Sequence, residues 1–529
     1  MQEKTYPSPG FLILCLILLT IGFRIVHLKA DPPADLSWSG GYFADEGFWS
    51  HNARNQVLFG NPVQDEWDAR IVSPLFARIQ GFVFQVLGAG FAQVRLIALF
   101  SSIVITVSCF LLLRRQMNVG TAFLCTVLIS LNYPMLILGR QGILDPFAAA
   151  LMCVSLLLLF TETRTGVILA GVCLVASCVT KYLMVYAFLP FLFAMLFVLR
   201  FSKHKLVLFF TGALITLGAW YLGNYIPNRE LLQGYSSFYS SQQSWELLSV
   251  AKNIVLQPFY LYFVKTPAIL FFGNLFLWYF LAKPAAGGRI EKLFWVWLVC
   301  GILFFALWKY RPLRYYTSLL IPLSVLAGIA ATRFRELASG FEERPTRLYL
   351  LIGMLIPSAQ LGFVLADRWS GWNILPSQLG IQSWDIITFL ALTVVFILMN
   401  KKVSWMVLSF AVAFLLCDMK SYLSWALQPE YAAVELSRDL ERRVGKGVLT
   451  GQWAPELCLE NQVRVVPVWH GFVNSEEPFE RYGISHVLVW EYPLGGEKFD
   501  QWYPEEFRQF LPVAHYRIKN SDLVLYERK

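Results

Sequence analysis

The chain has 529 residues, 57% of them from the AVILMFWYC set and only 15% charged, against about a quarter charged in an average soluble domain. That composition excludes an ordinary soluble globular protein. The formal charge of +9 does not mark a nucleic-acid binder, because Ser421–Lys529 carries 12 basic and 16 acidic residues while the first 420 residues carry 32 and 19. The excess reads as the loop charge of a membrane protein.

Apolar blocks of roughly membrane-spanning length begin at Phe11–Phe23, which no A-x-A-like cleavage site follows, so it reads as a first span and not a cleaved signal. The hydropathy pattern predicts helices near 9–28, 93–113, 119–138, 144–160, 166–181, 182–199, 206–226, 265–282, 292–308, 313–332, 346–366, 384–400 and 403–420. Thirteen spans put the termini on opposite sides. The short-loop set holding Lys4, Arg114, Arg115, Arg164, Arg200, Lys203, Lys205, Lys283, Arg289, Lys292, Arg333, Arg335, Arg344, Arg347, Lys401 and Lys402 carries 16 basic and 6 acidic residues. It is therefore predicted to face the cytoplasm, with the N-terminus inside and the C-terminal region on the periplasmic or extracellular face.

The predicted fold class is a polytopic α-helical membrane protein of about 13 transmembrane helices, residues 1–420, followed by a small soluble α/β domain over 421–529. Two outer segments are too long to be simple connections. Residues 29–93 are polar and acid-rich, then carry Pro74–Gly88, expected to lie at the membrane surface or between spans. Residues 225–265, rich in Ser, Gln and Tyr, read as a mobile cover. In the tail, Glu430–Arg443 has helical spacing, Gly451–Glu460 and Tyr503–Phe510 read as further helices, and Arg464–Val468, His486–Trp490, Val513–Ile518 and Leu523–Tyr526 as strands. Of nine cysteines only Cys458 lies in the tail, and neither a disulfide framework nor a C-x-x-C metal site is legible.

Ionisable groups near the ends of spans are costly unless they line a watery cavity, so the scarce charges there are the candidates for chemistry. Gly41-Tyr42-Phe43-Ala44-Asp45-Glu46-Gly47-Phe48-Trp49 sets two carboxylates among aromatics about 20 residues beyond the first span. Arg140 precedes Asp145-Pro146 at the start of the fourth span, where an acid also suits the helix dipole. Lys181 sits at the junction of two short spans and is equally consistent with a snorkelling lysine. Lys309-Tyr310-Arg311-Pro312-Leu313-Arg314-Tyr315-Tyr316 places three cations within six residues on the side predicted to be poor in them, which calls for an anionic partner.

In this order, the Asp45-Glu46 motif, the Arg140-x-x-x-x-Asp145-Pro146 motif, Thr180-Lys181 and Arg311-x-x-Arg314-Tyr315-Tyr316 before a span with Pro322 resemble the membrane glycosyltransferases of the GT-C class. The likeness is to the branch containing protein O-mannosyltransferases, the lipid A aminoarabinose transferase and the galacturonosyl transferases of lipopolysaccharide core. It covers residues 9–335 by motif and the whole chain by layout. Where many relatives have Lys-Pro-Pro-Leu, this chain has Arg70-Ile71-Val72-Ser73-Pro74-Leu75, leaving Arg70 as candidate for the missing cation. The tail lacks the Trp-Trp-Asp-Tyr-Gly motif of oligosaccharyltransferases, which argues against en bloc transfer of an oligosaccharide to Asn.

The resemblance implies a sugar donor carried on a polyprenyl phosphate and an acceptor that is a glycolipid, a polysaccharide or a protein, at the periplasmic face of a cell inner membrane. Displacing a lipid phosphate from an anomeric carbon needs a base for the acceptor hydroxyl, and Asp45 is the candidate, with Glu46 holding the acceptor or orienting Asp45. Arg314, Arg311, Lys181 and Arg70 are the candidate phosphate ligands. Asp145, Arg140, His51 and Tyr315 are candidates for the sugar or acceptor, Asp145 orienting Arg140 or a sugar hydroxyl. His51 with Asp45 would supply two metal ligands, which do not make a site, and no essential metal or other cofactor is expected. A transporter or flippase of an anionic lipid or lipid-linked sugar is the alternative, although such proteins show paired halves with broken helices near the midplane.

Overall fold

The computed structural model describes residues 7–37, 45–241, 243, 246–256, 258–285, 287–308, 310–371, 381–399, 402–491 and 497–529. Lys4, Gly41 to Ala44, Lys309 and Lys401 lie outside the described residues, as do the side chains of Phe238 and Tyr239. Among the described residues five helical runs are long and apolar enough to cross a membrane: Phe91–Leu113, Lys203–Tyr225, Leu313–Thr332, Arg344–Ser370 and Val403–Val444. Shorter apolar helices stand beside them, including Pro9–Ile25, Val119–Leu131, Leu144–Leu159, Arg164–Thr180, Tyr182–Val198, Pro267–Ala282 and Ser383–Met399. The protein is a multi-pass helical membrane protein.

Local chemistry sets where these helices begin and break. The Asn118 side chain accepts the Thr121 amide at 2.8 Å and starts one helix. The helix expected over 119–138 is interrupted at Asn132, whose side chain accepts the Met135 amide at 2.9 Å while Pro134 opens Tyr133–Leu138. Such a break frees carbonyls, and buried Arg24 takes one of them, donating to Ser130 O at 2.9 Å, and also donates to Met135 O at 3.0 Å. The two short spans predicted around 180 meet at an extended Lys181 (φ −142°, ψ 103°), after which Tyr182–Val198 winds through 3-10, α and π turns. Lys181 therefore leaves the helical path at the bundle end where Asp145 also lies.

The first long segment folds on the sequence's own amphipathicity. Asp45–Phe59 is a helix, called the site helix below. Pro74–Leu87 buries Phe76, Ala77, Gln80 and Phe84 and exposes Phe82, Val86 and Leu87, and Gln80 donates to the Ser50 hydroxyl at 2.7 Å. The second long segment holds helices Arg229–Ser240 and Leu247–Leu256. It is anchored where Tyr235, buried, packs on Trp67 (5.5 Å between ring centroids) and Phe472 (5.2 Å). At that point the cover expected to be mobile is a packed element.

The C-terminal residues build a mixed five-stranded sheet in the order β2-β1-β3-β5-β4. Its strands are β1 (Val448–Thr450), β2 (Arg464–Val466), β3 (His486–Glu491), β4 (Phe510–Ile518) and β5 (Ser521–Arg528). β2, β1 and β3 run parallel, and β5 is antiparallel to both β3 and β4. One apolar core joins this sheet to the membrane-proximal helices, since Leu436, Leu449, Trp453 and Leu457 pack in one cluster with Ala53, Phe84, Phe91 and Val94. Asp31 extends the seam, accepting the Ala432 amide at 2.8 Å at the start of the Ala432–Val444 helix. The sheet domain is thus built onto the first long segment.

Candidate active site

At the start of the site helix Asp45 faces Arg314, with the carboxylate and guanidinium 2.8 Å apart. Arg314 comes from a 3-10 turn, Leu313–Tyr316, held by Pro312 ahead of the Thr317–Thr332 helix. Its guanidinium lies over the rings of Tyr310 (5.8 Å) and Tyr315 (5.5 Å). Lys181, at the break described above, lies over the same Tyr315 ring at 4.6 Å and pairs with Asp145 from the start of Leu144–Leu159. Four charges from four separate elements, two acidic and two basic, thus converge around one tyrosine. Asp45 keeps 33% of its side chain exposed and Arg314 16%, so this pair is open to a ligand, while Lys181 and Asp145 at 8% and 4% are enclosed.

The neighbouring carboxylate has another task. Glu46 is fully buried, bound by Arg95 Nε at 2.9 Å and Nη2 at 2.5 Å, and it also accepts the Gly142 amide at 2.6 Å. Arg95 further donates to Leu28 O at 2.8 Å and Ala30 O at 2.7 Å. The Glu46–Arg95 pair ties the site helix to the Phe91–Leu113 helix and to the loop before Leu144, so the Glu46 carboxylate is engaged inside the protein and not directed at Asp45. Consecutive residues on an α-helix point about 100° apart, which sends Asp45 toward Arg314 and Glu46 into the protein.

Four other expected site residues are held elsewhere. His51 is buried, with Nε2 2.7 Å from Asp65 and 3.0 Å from the Asn55 amide group, so it supports the segment beneath the site helix. Arg70 pairs with Asp68 at 2.6 Å, its side chain 40% exposed. Arg140 donates to Val26 O at 2.7 Å and to His27 O and lies 4.3 Å over Trp425, so Asp145 orients Lys181 and not Arg140. Arg311 is buried over Tyr262, whose ring stacks on Tyr316 at 4.2 Å, behind the Arg314 turn.

The tail reaches the site directly. The Gly47 amide donates to the Glu456 carboxylate at 2.5 Å, and a Cβ at residue 47 would sit 2.2 Å from Glu456 Cα. Only glycine lets the two backbones approach this closely. Farther along the site helix, Arg54 donates to Asn461 O at 2.9 Å and Val463 O at 2.7 Å, and Lys29 pairs with Glu460 at 2.9 Å. Sequence reasoning missed Arg95, Tyr310 and Glu456. Tyr310 lay inside the cation motif, whereas nothing local marked the other two.

The fold is that of a multi-pass helical membrane protein with a C-terminal mixed sheet. The chain is similar to ArnT from Cupriavidus metallidurans bound to undecaprenyl phosphate, with a TM-score of 0.60, 15% identity and 98% of each chain covered. The apo state of ArnT from the same organism gives 0.59 and 16%, over 98% of this chain and 97% of that one. The Archaeoglobus fulgidus oligosaccharyltransferase in its apo form is similar at a TM-score of 0.49 and 11% identity, over 90% of this chain and 69% of that one. No protein-family model and no curated protein matches the chain.

Proposed function

We propose that the protein is an integral-membrane glycosyltransferase that moves a single sugar from a polyprenyl-phosphate donor to an acceptor hydroxyl on the outer face of the membrane, with inversion. The observation that carries this reading is the open Asp45–Arg314 pair, one accessible carboxylate against a cation, with Lys181 behind the same Tyr315 ring. The fold shared with a protein whose structure holds undecaprenyl phosphate supports the choice of donor. Thirteen crossings, an inner N-terminus and an outer sheet domain complete the reading.

The reaction follows from the charges. An arriving phosphate competes for Arg314, whose planar fork suits phosphate oxygens, and leaves Asp45 without its partner. Asp45 then takes the proton of the acceptor hydroxyl as its oxygen bonds to the anomeric carbon. The bond from that carbon to the phosphate oxygen breaks on the opposite face, and the electron pair leaves with the polyprenyl phosphate. Arg314 stabilises the dianion that forms, and Lys181 adds a second positive charge. Asp145, the other carboxylate of the cluster, is held by Lys181, so Asp45 acts as a single base and transfer proceeds with inversion.

The test uses the purified protein in nanodiscs with a panel of undecaprenyl-phosphate sugars and membrane extract as acceptor. Asp45→Asn should lower transfer by about 10²–10⁴-fold while still binding undecaprenyl phosphate, and Arg314→Ala should weaken that binding. Wild-type turnover by Asp45→Asn would remove the base, and unchanged binding by Arg314→Ala would remove the phosphate site.

A further inference from the structure

A cavity of about 360 Å³ opens at the sheet-bearing end of the bundle, and none of Asp45, Asp145, Lys181, Arg314 or Tyr315 lines it. That volume lies at the low end of ligand pockets, and such pockets favour places where separate units meet. Three units meet here. Asp35, from the first long segment, accepts the Tyr133 hydroxyl at 2.8 Å and the Lys265 ammonium at 2.8 Å. The helix Ser383–Met399 supplies Trp384 and Asp385, and the helix Lys420–Leu427 supplies Lys420, Ser424 and Trp425. The sheet domain closes one side through Lys519, in the turn between β4 and β5, which pairs with Glu430 at 2.7 Å.

We propose that this cavity binds a pyranose ring, neutral or amino-substituted. Lys265 neutralises Asp35 and Lys519 neutralises Glu430. Among the described residues Asp385 and Lys420, both lining the cavity, form no ion pair; Asp385 is buried with Lys265 and Arg368 close enough to offset part of its charge, and Lys420 is exposed. Lys420 lies 5.6 Å over the Trp384 ring, and that indole is 46% exposed at the wall. Trp425 is fixed by its own N–H, which donates to Asp31 O at 2.8 Å, and by Arg140 on one face. Carboxylate, ammonium, seryl hydroxyl and amide groups around the exposed Trp384 indole, with buried Trp425 behind them, match the two sides of a sugar ring, its hydroxyls and its apolar C–H face. A lipid tail would meet the Asp385 and Lys420 charges in place of apolar surface, and a phosphate would meet Asp385, the lining carboxylate that has no ion pair. The inference rests on this lining and not on the transfer reading.

The test measures binding of methyl α-glucopyranoside and of its 2-amino counterpart to the full-length protein in nanodiscs by saturation-transfer NMR and calorimetry. At least one should bind saturably, and Trp384→Ala and Asp385→Asn should each weaken it at least fivefold. Ser424→Trp, which fills the cavity from its rim, should abolish binding without touching either group. Asp45→Asn should bind within twofold of wild type, so a failed transfer assay and a failed cavity are told apart. The absence of saturable binding, indifference to all three cavity variants, or loss in Asp45→Asn would each overturn the proposal.

Discussion

Gly47→Ala isolates the contact between the sheet domain and the site helix. The added Cβ would stand 2.2 Å from Glu456 Cα and N and 2.4 Å from the Pro455 carbonyl carbon, all backbone atoms that cannot rotate away. Restoring ordinary contact at 3.4 Å requires the helix and the 454–457 turn to part by about 1.2 Å. Overpacking of this kind costs about 1–3 kcal/mol, against a gain of at most about 1 kcal/mol from exchanging glycine for alanine in a helix. Asp45 lies two residues away on the same helix, so its 2.8 Å approach to Arg314 is lost with that movement. A misplacement near 1 Å at a reacting group costs on the order of 10²-fold in rate. The assay is sugar transfer per folded protein together with thermal unfolding. Gly81→Ala is the control, because nothing lies within 4 Å of its added Cβ. It should keep full transfer and melt at or slightly above wild type. Gly47→Ala with the turnover and melting of Gly81→Ala would refute the dependence of the site on this contact.

Further expectations follow from the buried charges. Lys181→Met strands Asp145 and should cost about 3–5 kcal/mol, whereas adding Asp145→Leu should recover most of it; unfolding curves that show additive losses would refute the pairing. Glu497 is buried and accepts the Gln452 amide at 2.7 Å and the Trp490 amide at 2.8 Å, yet burial outweighs both and pushes its carboxyl up to about 7. The folded state then keeps a proton that the unfolded chain releases near pH 4.5, so stability falls as pH rises from 4.5 to 7, by about 3 kcal/mol in all. Glu497→Gln should flatten that slope in melting curves from pH 4.5 to 8, and an unchanged slope would exclude Glu497. Orientation is best read at Glu505→Cys, since Glu505 is 77% exposed and the native tail thiol, Cys458, is buried. An impermeant maleimide should label it on intact cells, and labelling only after lysis would reverse the topology.

The helices were legible because hydropathy is a local property, and the loop charges near their ends were legible for the same reason. The Asp45–Arg314 and Asp145–Lys181 meetings were visible only as one shared set of candidates, since pairing needs the tertiary fold. Glu46 was expected beside Asp45 because adjacency in sequence looks like adjacency in space, and the polar site helix carries no periodic signal that would have shown the turn between them. Arg95 and Glu456 stayed hidden because their partners lie 49 and 409 residues away. In the tail, three-residue β1 was missed because its parallel neighbours stabilise it more than its own pattern does.

The 409-residue separation between Gly47 and Glu456 also orders events in time. At about 5–20 residues per second of synthesis, roughly 20–80 s elapse between the appearance of the site helix and that of the turn that fixes it. Throughout that interval Asp45 has no final position, however completely the early spans have inserted. A nascent or truncated chain therefore lacks the contact that holds the site helix, which forms only once the last hundred residues have been made and folded.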